Sequence, residues 1–531
     1  MKRHIIITIL LLVATVLVTV VYFKHLSNTA QHTGLVMRTI PNDASLIFEF
    51  NNDKEFYDIF SSDKLFSNFL GDDKLDELIA LRKNLLQNSL MAKYVSGQNL
   101  FISLHPQKGN SIDFLLTASV SKEFQSDILE QIAKQPKNGM LIHSIDIEGK
   151  PGYVIYLNDL KKRFYMINRD DHSLSASFSK DVIANCARYD YKKEKETFVL
   201  LSDRLQSNSL ANLYVNYQAL SPLFEQVFVN KNTDIFKNFR QFPAFAALSL
   251  NYKSDAIMFN GSSEIQGNQE GGYLGLFSHQ RPVTNHLKEI FPSTTAYSVS
   301  FAVSDPAKFE SDLGVLQSKS NFNKEERTIL KKIKSETGIA IQKEFSRSLA
   351  NEFAIVTTHY HEKIGIIQLK DGSRLLALLV NISKMNSDNT GQFNYEKLSQ
   401  ILLGDAFYLF KRPYFKVIDN YLVLTNTPSE LVSYNDSYTN RKFLVNTECY
   451  NEFNNLLAEM CNVSFFIQFK NAAQLFKQDM KPSFYNDFNK SEPGWKNFYG
   501  ASWQFSSSDK SFYTNFCMRL NSDTTTLKST F

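Results

Sequence analysis

The densest group of metal-ligating residue types in this chain is His359-x-His361-Glu362. On a strand, positions i and i+2 share one face, so two imidazoles so spaced are placed to grip one ion. A zinc protease of the HExxH kind needs its second His at position 365, which is Gly365. No third ligand can be named. The stretch therefore reads as the polar end of a hairpin after a strand at 353–358, with His359 and His361 kept as weak metal candidates. His105 follows a comparable strand in the first half and suggests a shared turn. No catalytic residue and no cofactor site is assigned, and no cofactor is expected.

Serine and nucleotide chemistry have thinner support. Ser61-x-x-Lys64 and Ser119-x-x-Lys122 fit SxxK, and Ser387-Asp388-Asn389 spells SDN. A penicillin-recognising site also needs a Lys-Thr-Gly type element, which does not occur, and GxSxG does not occur either. There is no GxxxxGK[ST] and no GxGxxG; Gly271-Gly272-x-x-Gly275 lacks a strand-to-helix setting and reads as linker. Asp170-Asp171 and Asp72-Asp73 read as a turn and a helix start. The runs Lys161-Lys162-Arg163 and Lys331-Lys332-x-Lys334 read as solvated faces. The four cysteines, Cys186, Cys449, Cys461 and Cys517, form no CxxC and no disulfide framework, and read as small buried residues.

The elements that must carry these residues are mixed. Asp72 to Met91 has leucines at helical spacing, and Asn323-Lys324-Glu325-Glu326 looks like a capping box. Strand-like runs lie at 100–104, 114–120, 152–157, 164–168 and 174–178, several joined by short polar turns that predict hairpins. Similar stretches recur. Pro41 to Phe50 matches Pro292 to Phe301; Asp171 to Ser177 matches Asp419 to Thr425; Leu213 to Tyr217 matches Phe465 to Phe469; Leu248 to Tyr252 matches Ala501 to Phe505. The offsets stay near 250 throughout, which predicts two related modules. The expected fold class is α+β: an N-terminal transmembrane helix, then two tandem homologous modules, each a mainly antiparallel sheet with packed helices.

The expected layout follows. Residues 1–4 form a cytoplasmic tip, 5–23 a transmembrane anchor and 24–35 a stalk. Module 1 covers 36–270, a linker 271–285, and module 2 286–531. The run 5–23 carries no charge and would span roughly 28 Å as a helix, with Lys2 and Arg3 before it. This predicts a single-pass protein of the bacterial inner (cytoplasmic) membrane, with the bulk of the chain in the periplasm or otherwise outside the cytoplasm. The membrane is thus an expected partner through residues 5–23.

The whole chain has 531 residues, 43% hydrophobic and 21% charged, with a net charge of +4. That composition fits folded domains and gives no case for nucleic-acid binding. The 44 Phe and 24 Tyr are either core residues or an apolar binding surface.

The N-terminal apolar run, followed by the Pro41-Asn42-Asp43-Ala44-Ser45 opening into a strand, resembles an uncharacterised family of membrane-anchored bacterial envelope proteins, a domain of unknown function. The second module has Ser293-Thr294-Thr295 in place of Asn42-Asp43-Ala44. The resemblance implies an envelope location and brings no catalytic residue. The leading functional expectation is a non-enzymatic binding or scaffold protein with an envelope protein or polymer as partner. The alternatives are a binder of an apolar ligand such as lipid, and an enzyme with an unrecognised site.

Overall fold

Alternating and β-branched runs set up the strands of this protein, and turn residues with positive φ join them. In the computed structural model, the described residues are 36–62, 64–107, 111–121, 124, 127–134, 140–169, 173–190, 209–229, 245–265, 272–319, 323–489, 494–509 and 511–521. They form two compact units. The first takes the residues up to Ser62, Asp73–Ala219 and Ala247–Ser249; the second takes Asp63–Asp72, Leu220–Ala246 and the residues from Leu250 on.

The first unit holds strands β1 (Leu46–Asn51), β2 (Asn99–Gln107), β3 (Ser111–Ser119), β4 (Met140–Ile147), β5 (Lys150–Leu157), β6 (Lys162–Arg169), β7 (Ser173–Ser177) and β8 (Ala211–Asn216). They pair in the order β8-β1-β2-β3-β7-β6-β5-β4, every pair antiparallel. Glu148 and Gly149 join β4 to β5 with φ of 53° and 76°. Two consecutive positive φ values match the twist of a two-residue hairpin. All five residues of β7, Ser-Leu-Ser-Ala-Ser, are buried. The helix Lys180–Arg188 begins at Ser179, whose hydroxyl accepts the Val182 N–H. It lays Val182, Ile183, Cys186 and Ala187 on Leu115, Ile147 and Ile167 from three strands. The Arg169 guanidinium donates to the Cys186 and Tyr189 carbonyls at its C-terminus, where a cation suits both the free carbonyls and the helix dipole.

Strand β9 (Phe245–Lys253) has residues in both units. The second unit holds β10 (Ala256–Glu264), β11 (Val283–Thr284), β12 (Thr295–Ala302), β13 (Leu349–Thr358), β14 (Lys363–Leu369), β15 (Ser383–Met385), β16 (Thr390–Phe393), β17 (Tyr414–Ile418), β18 (Tyr421–Thr425), β19 (Met460–Cys461), β20 (Val463–Gln468), β21 (Phe498–Ser508) and β22 (Ser511–Leu520). Its main sheet runs β10-β22-β21-β20-β12-β13-β14-β18-β17-β16-β15, again antiparallel throughout. Strands β11 and β19 form a separate short ladder. One core gathers Ala354, Val356, Ile364, Ile366, Val423 and Phe453, among others. Elsewhere in the unit Phe277, Phe301, Phe309 and Phe353 stack in one aromatic cluster, with centroids 5.2 to 6.3 Å apart. The chain from Tyr273 to Phe277, expected to be linker, is buried, with the Tyr273 hydroxyl donating to the Leu403 carbonyl.

The expected transmembrane helix is corrected by the helices that form. No helix among the described residues is long and apolar enough to cross a membrane. A crossing needs about 20 apolar residues. The longest described helix, Asn323–Thr337, has 15 and carries charges such as Glu325, Arg327 and Lys331. Residues 5–23, where the anchor was expected, and the stalk at 24–35 lie outside the described residues, as does the turn at 170–172. The single-pass inner-membrane location, the periplasmic placement and the membrane, transmembrane and signal-anchor assignments all rested on that helix and lose their support with it. The described residues form α+β architecture with antiparallel sheets.

Candidate functional site

His359 and His361 sit in the turn between β13 and β14. His361 has φ of +66°, and its N–H donates to the Thr358 carbonyl at 3.0 Å. The Thr358 hydroxyl donates to Glu362 Oε2 at 2.7 Å, and the His359 ring lies 3.9 Å from that of Tyr360. These bonds shape a hairpin end. Among the described residues no group of three or more His, Cys, Asp or Glu side chains is placed to hold a metal ion.

A second His makes a more suggestive arrangement. Ser103 and His105 stand two apart on β2 and so share a face. His105 Nε2 lies 2.9 Å from Ser103 Oγ, and His105 Nδ1 lies 2.9 Å from Asp43 Oδ1. Nucleophile, base and orienting acid are linked in this order in serine hydrolases. Ser103 is 0% exposed, however, and its hydroxyl also reaches the Leu115 carbonyl at 3.4 Å. The chain of bonds pins the Pro41–Ser45 turn to β2 rather than presenting a nucleophile. The Ser-x-His spacing was visible in the sequence. Asp43 was not, because it lies 62 positions away and joins only when β1 pairs with β2.

An open cleft of about 620 Å³ lies in the second unit, lined by residues 278–282, Lys308, Asp312 and 507–509. Three segments make it, and buried side chains fix them. The first is the loop after the short helix Gly275–Ser278. Gln280, 4% exposed, accepts from the Ser304 hydroxyl (3.1 Å) and the Asp305 N–H (2.9 Å). Asn462, 0% exposed, donates to the Arg281 carbonyl at 2.8 Å and accepts from the Ser507 N–H at 2.8 Å. The Ser507 hydroxyl closes the link by donating to the Ser278 carbonyl at 2.7 Å.

The second segment is the helix Pro306–Ser318. Asp305 caps it by accepting from Ala307 N and Lys308 N at 3.1 Å, with Pro306 in the first turn. Phe309, Leu313 and Gln317, four apart, form its buried face. Lys308 and Asp312 stand one turn apart towards the cleft. Asp312 Oδ2 lies 3.3 Å from Lys308 Nζ and 3.7 Å from His279 Nδ1. These are ion pairs by distance; the oxygen makes no aligned hydrogen bond. The third segment is the β21–β22 turn, where Asp509 has φ of +43°.

The charges in this cleft are therefore of two kinds. Lys308 is answered by Asp312, which also lies beside the His279 ring. Arg281 and Asp509 are exposed and form no ion pair among the described residues. Ser278, Ser507 and Ser508 line the same cleft. Such a surface can hold a polar ligand in a fixed orientation.

No family model matches the chain, no curated protein matches it, and no solved structure matches it.

Proposed function

We propose that this protein is a non-catalytic binding protein whose cleft receives a polar segment of a partner protein. The observation that carries this reading is the cleft itself: about 620 Å³ of preformed, charged and hydroxylated surface held open by the Gln280, Asn462 and Ser507 bonds. A volume of 300–1,000 Å³ is typical of ligand sites. Preformed walls spare the ligand the cost of ordering them. A polar ligand is favoured over a lipid because no Phe, Tyr or Trp lines the cleft. Phe277, Phe301, Phe309 and Phe353 are all buried against one another. A second cavity, walled by Phe309, Leu313 and Phe345, has only about 10 Å³ of free space.

The test compares the full chain with a Ser508→Trp variant, whose indole fills the cleft from the exposed end of β21, on an immobilised array of twelve-residue peptides. The natural chain is expected to retain a subset of peptides, and the variant to lose at least tenfold in affinity for that subset while unfolding at the same temperature. Equal retention by both chains removes the cleft as the site, and no retention by either removes the binding reading.

A further inference from the structure

We infer that the ligand of this cleft is a zwitterionic peptide segment, with a carboxylate seated on Arg281 and an ammonium on Asp509. The inference rests on the binding reading above and names the chemistry of its ligand.

Asp312 stands between Lys308 and His279, at 3.3 Å and 3.7 Å, so the Lys308 ammonium has a resident counter-charge and the His279 ring a neighbouring carboxylate. An added anion would compete with Asp312 for them. Arg281 is different. Its backbone is clamped on both sides, the N–H donating to the Ser304 hydroxyl at 3.0 Å and the carbonyl accepting from Asn462 at 2.8 Å. Its side chain is exposed in the cleft and has no ion pair among the described residues. A guanidinium on a fixed backbone presents a rigid fork of donors, the geometry that a carboxylate accepts two at a time.

Asp509 sets the second requirement. It lines the same cleft, in a hairpin turn of positive φ, also exposed and without an ion pair among the described residues. A simple anion drawn to Arg281 would feel this carboxylate as a repulsion, and a simple cation would feel Arg281 in the same way. A ligand with both signs, separated along a short backbone, satisfies both at once. Charge complementarity of this kind acts through specificity, because the wrong charge is penalised as well as the right one rewarded. A peptide supplies such a pair either from its own two termini or from an acidic and a basic side chain.

The experiment uses the full chain and pools of random tetrapeptides of uncharged residues, with binding read by equilibrium dialysis and mass spectrometry. One pool has both termini free, one is N-acetylated, one is C-amidated and one is capped at both ends. A fifth pool is capped at both ends but contains one Glu and one Lys. The free-terminus pool is expected to bind, and to lose about tenfold when either end is capped, as charge-assisted hydrogen bonds of this type allow. Arg281→Gln should abolish the difference between acid and amide without abolishing that between amine and acetyl. Asp509→Asn, which keeps a residue tolerant of positive φ, should do the converse. Binding of the Glu- and Lys-containing pool in place of the free-terminus pool also supports the inference and assigns the charges to side chains. If the fully capped uncharged pool binds as well as the free-terminus pool, the cleft binds peptides but the inference fails. If no pool binds, both the inference and the binding reading fall.

Discussion

A serine acts as a nucleophile only where its oxygen can meet a carbonyl carbon, and burial decides this before hydrogen bonding does. Ser103 has the right neighbours in His105 and Asp43 but no exposed surface. Full-chain protein treated with a fluorophosphonate probe is therefore expected to carry no label on Ser103. A labelled Ser103 peptide would reverse this assignment and make the chain an enzyme. The same three residues should show up in stability. His105 is 1% exposed and bonded at both ring nitrogens, so His105→Ala leaves a cavity and leaves the Ser103 hydroxyl only its long bond to the Leu115 carbonyl, at a cost of about 2–4 kcal/mol in urea denaturation. Asp43 is 46% exposed, and water can replace its bond, so Asp43→Asn should cost no more than about 1 kcal/mol. Equal costs for the two would mean that the Asp43 contact is worth more than its exposure permits. At this scale the sequence was only partly readable. Ser-x-His marks one strand face, but neither its burial nor the distant Asp43 follows from spacing. Arg281 and Asp509 carried no motif at all, since a lone Arg before Pro282 and a lone Asp in a turn look like ordinary surface.

The elements were more legible, because period and turn chemistry repeat along them. Hairpins were expected from polar turns, and Glu148-Gly149 and Asp419-Asn420 join strands in this way, with positive φ at Glu148, Gly149 and Asp419. What alternation does not disclose is a polar side chain facing inward. Glu352 on β13 is 3% exposed, and its carboxylate accepts the His286 and Leu287 N–H groups at the start of the 3-10 turn Leu287–Ile290, at 3.0–3.1 Å. It thus caps an element 65 positions away, which no local pattern records. Burial pushes this carboxyl above its ordinary value of 4.5, and the two N–H donors and the Lys288 and His286 charges only partly offset that. The sign follows from linkage. Between 4.5 and the raised folded value, the folded chain binds more protons than the unfolded chain. Glu352 therefore contributes stability that is fully present below pH 4.5 and is lost as pH rises through the folded value. Glu352→Gln should remove this descending limb from a plot of urea midpoint against pH, while Glu352→Ala should lower stability at every pH by about 2 kcal/mol through the orphaned N–H groups. A limb unchanged in the Gln variant would move its origin to another group.

At the scale of the whole molecule, the stretches that matched along the sequence at near-constant offset fall on strands of the same rank. The order β8-β1-β2-β3-β7-β6-β5-β4 in the first unit has its parallel in β20-β12-β13-β14-β18-β17-β16-β15 in the second. The two units do not share the bounds expected for the modules, since residues 250–265, expected in the first, belong to the second unit. The membrane expectation failed to carry over because it rested on one segment and on no pairing. Each unit has its own buried core, and none of the four cysteines is in a disulfide. Three are buried, and they divide between the units, Cys186 in the first and Cys461 and Cys517 in the second. Desolvation pushes all three thiols up, Cys461 and Cys517 to about 12, so the reactive thiolate is scarce even where a reagent could enter. These thiols are therefore reporters of opening. In native buffer, iodoacetamide should modify Cys449, the partly exposed one, well before the others, and added reductant should leave the melting temperature unchanged. Across a urea series, Cys461 and Cys517 should become reactive at one midpoint, because they share a unit, while Cys186 reports the first unit separately. Modification of Cys461 well before Cys517 would mean that the segment holding Asn462, and with it one wall of the cleft, opens by itself. A cleft that opens in this way could not be the rigid, preformed site on which the binding reading depends.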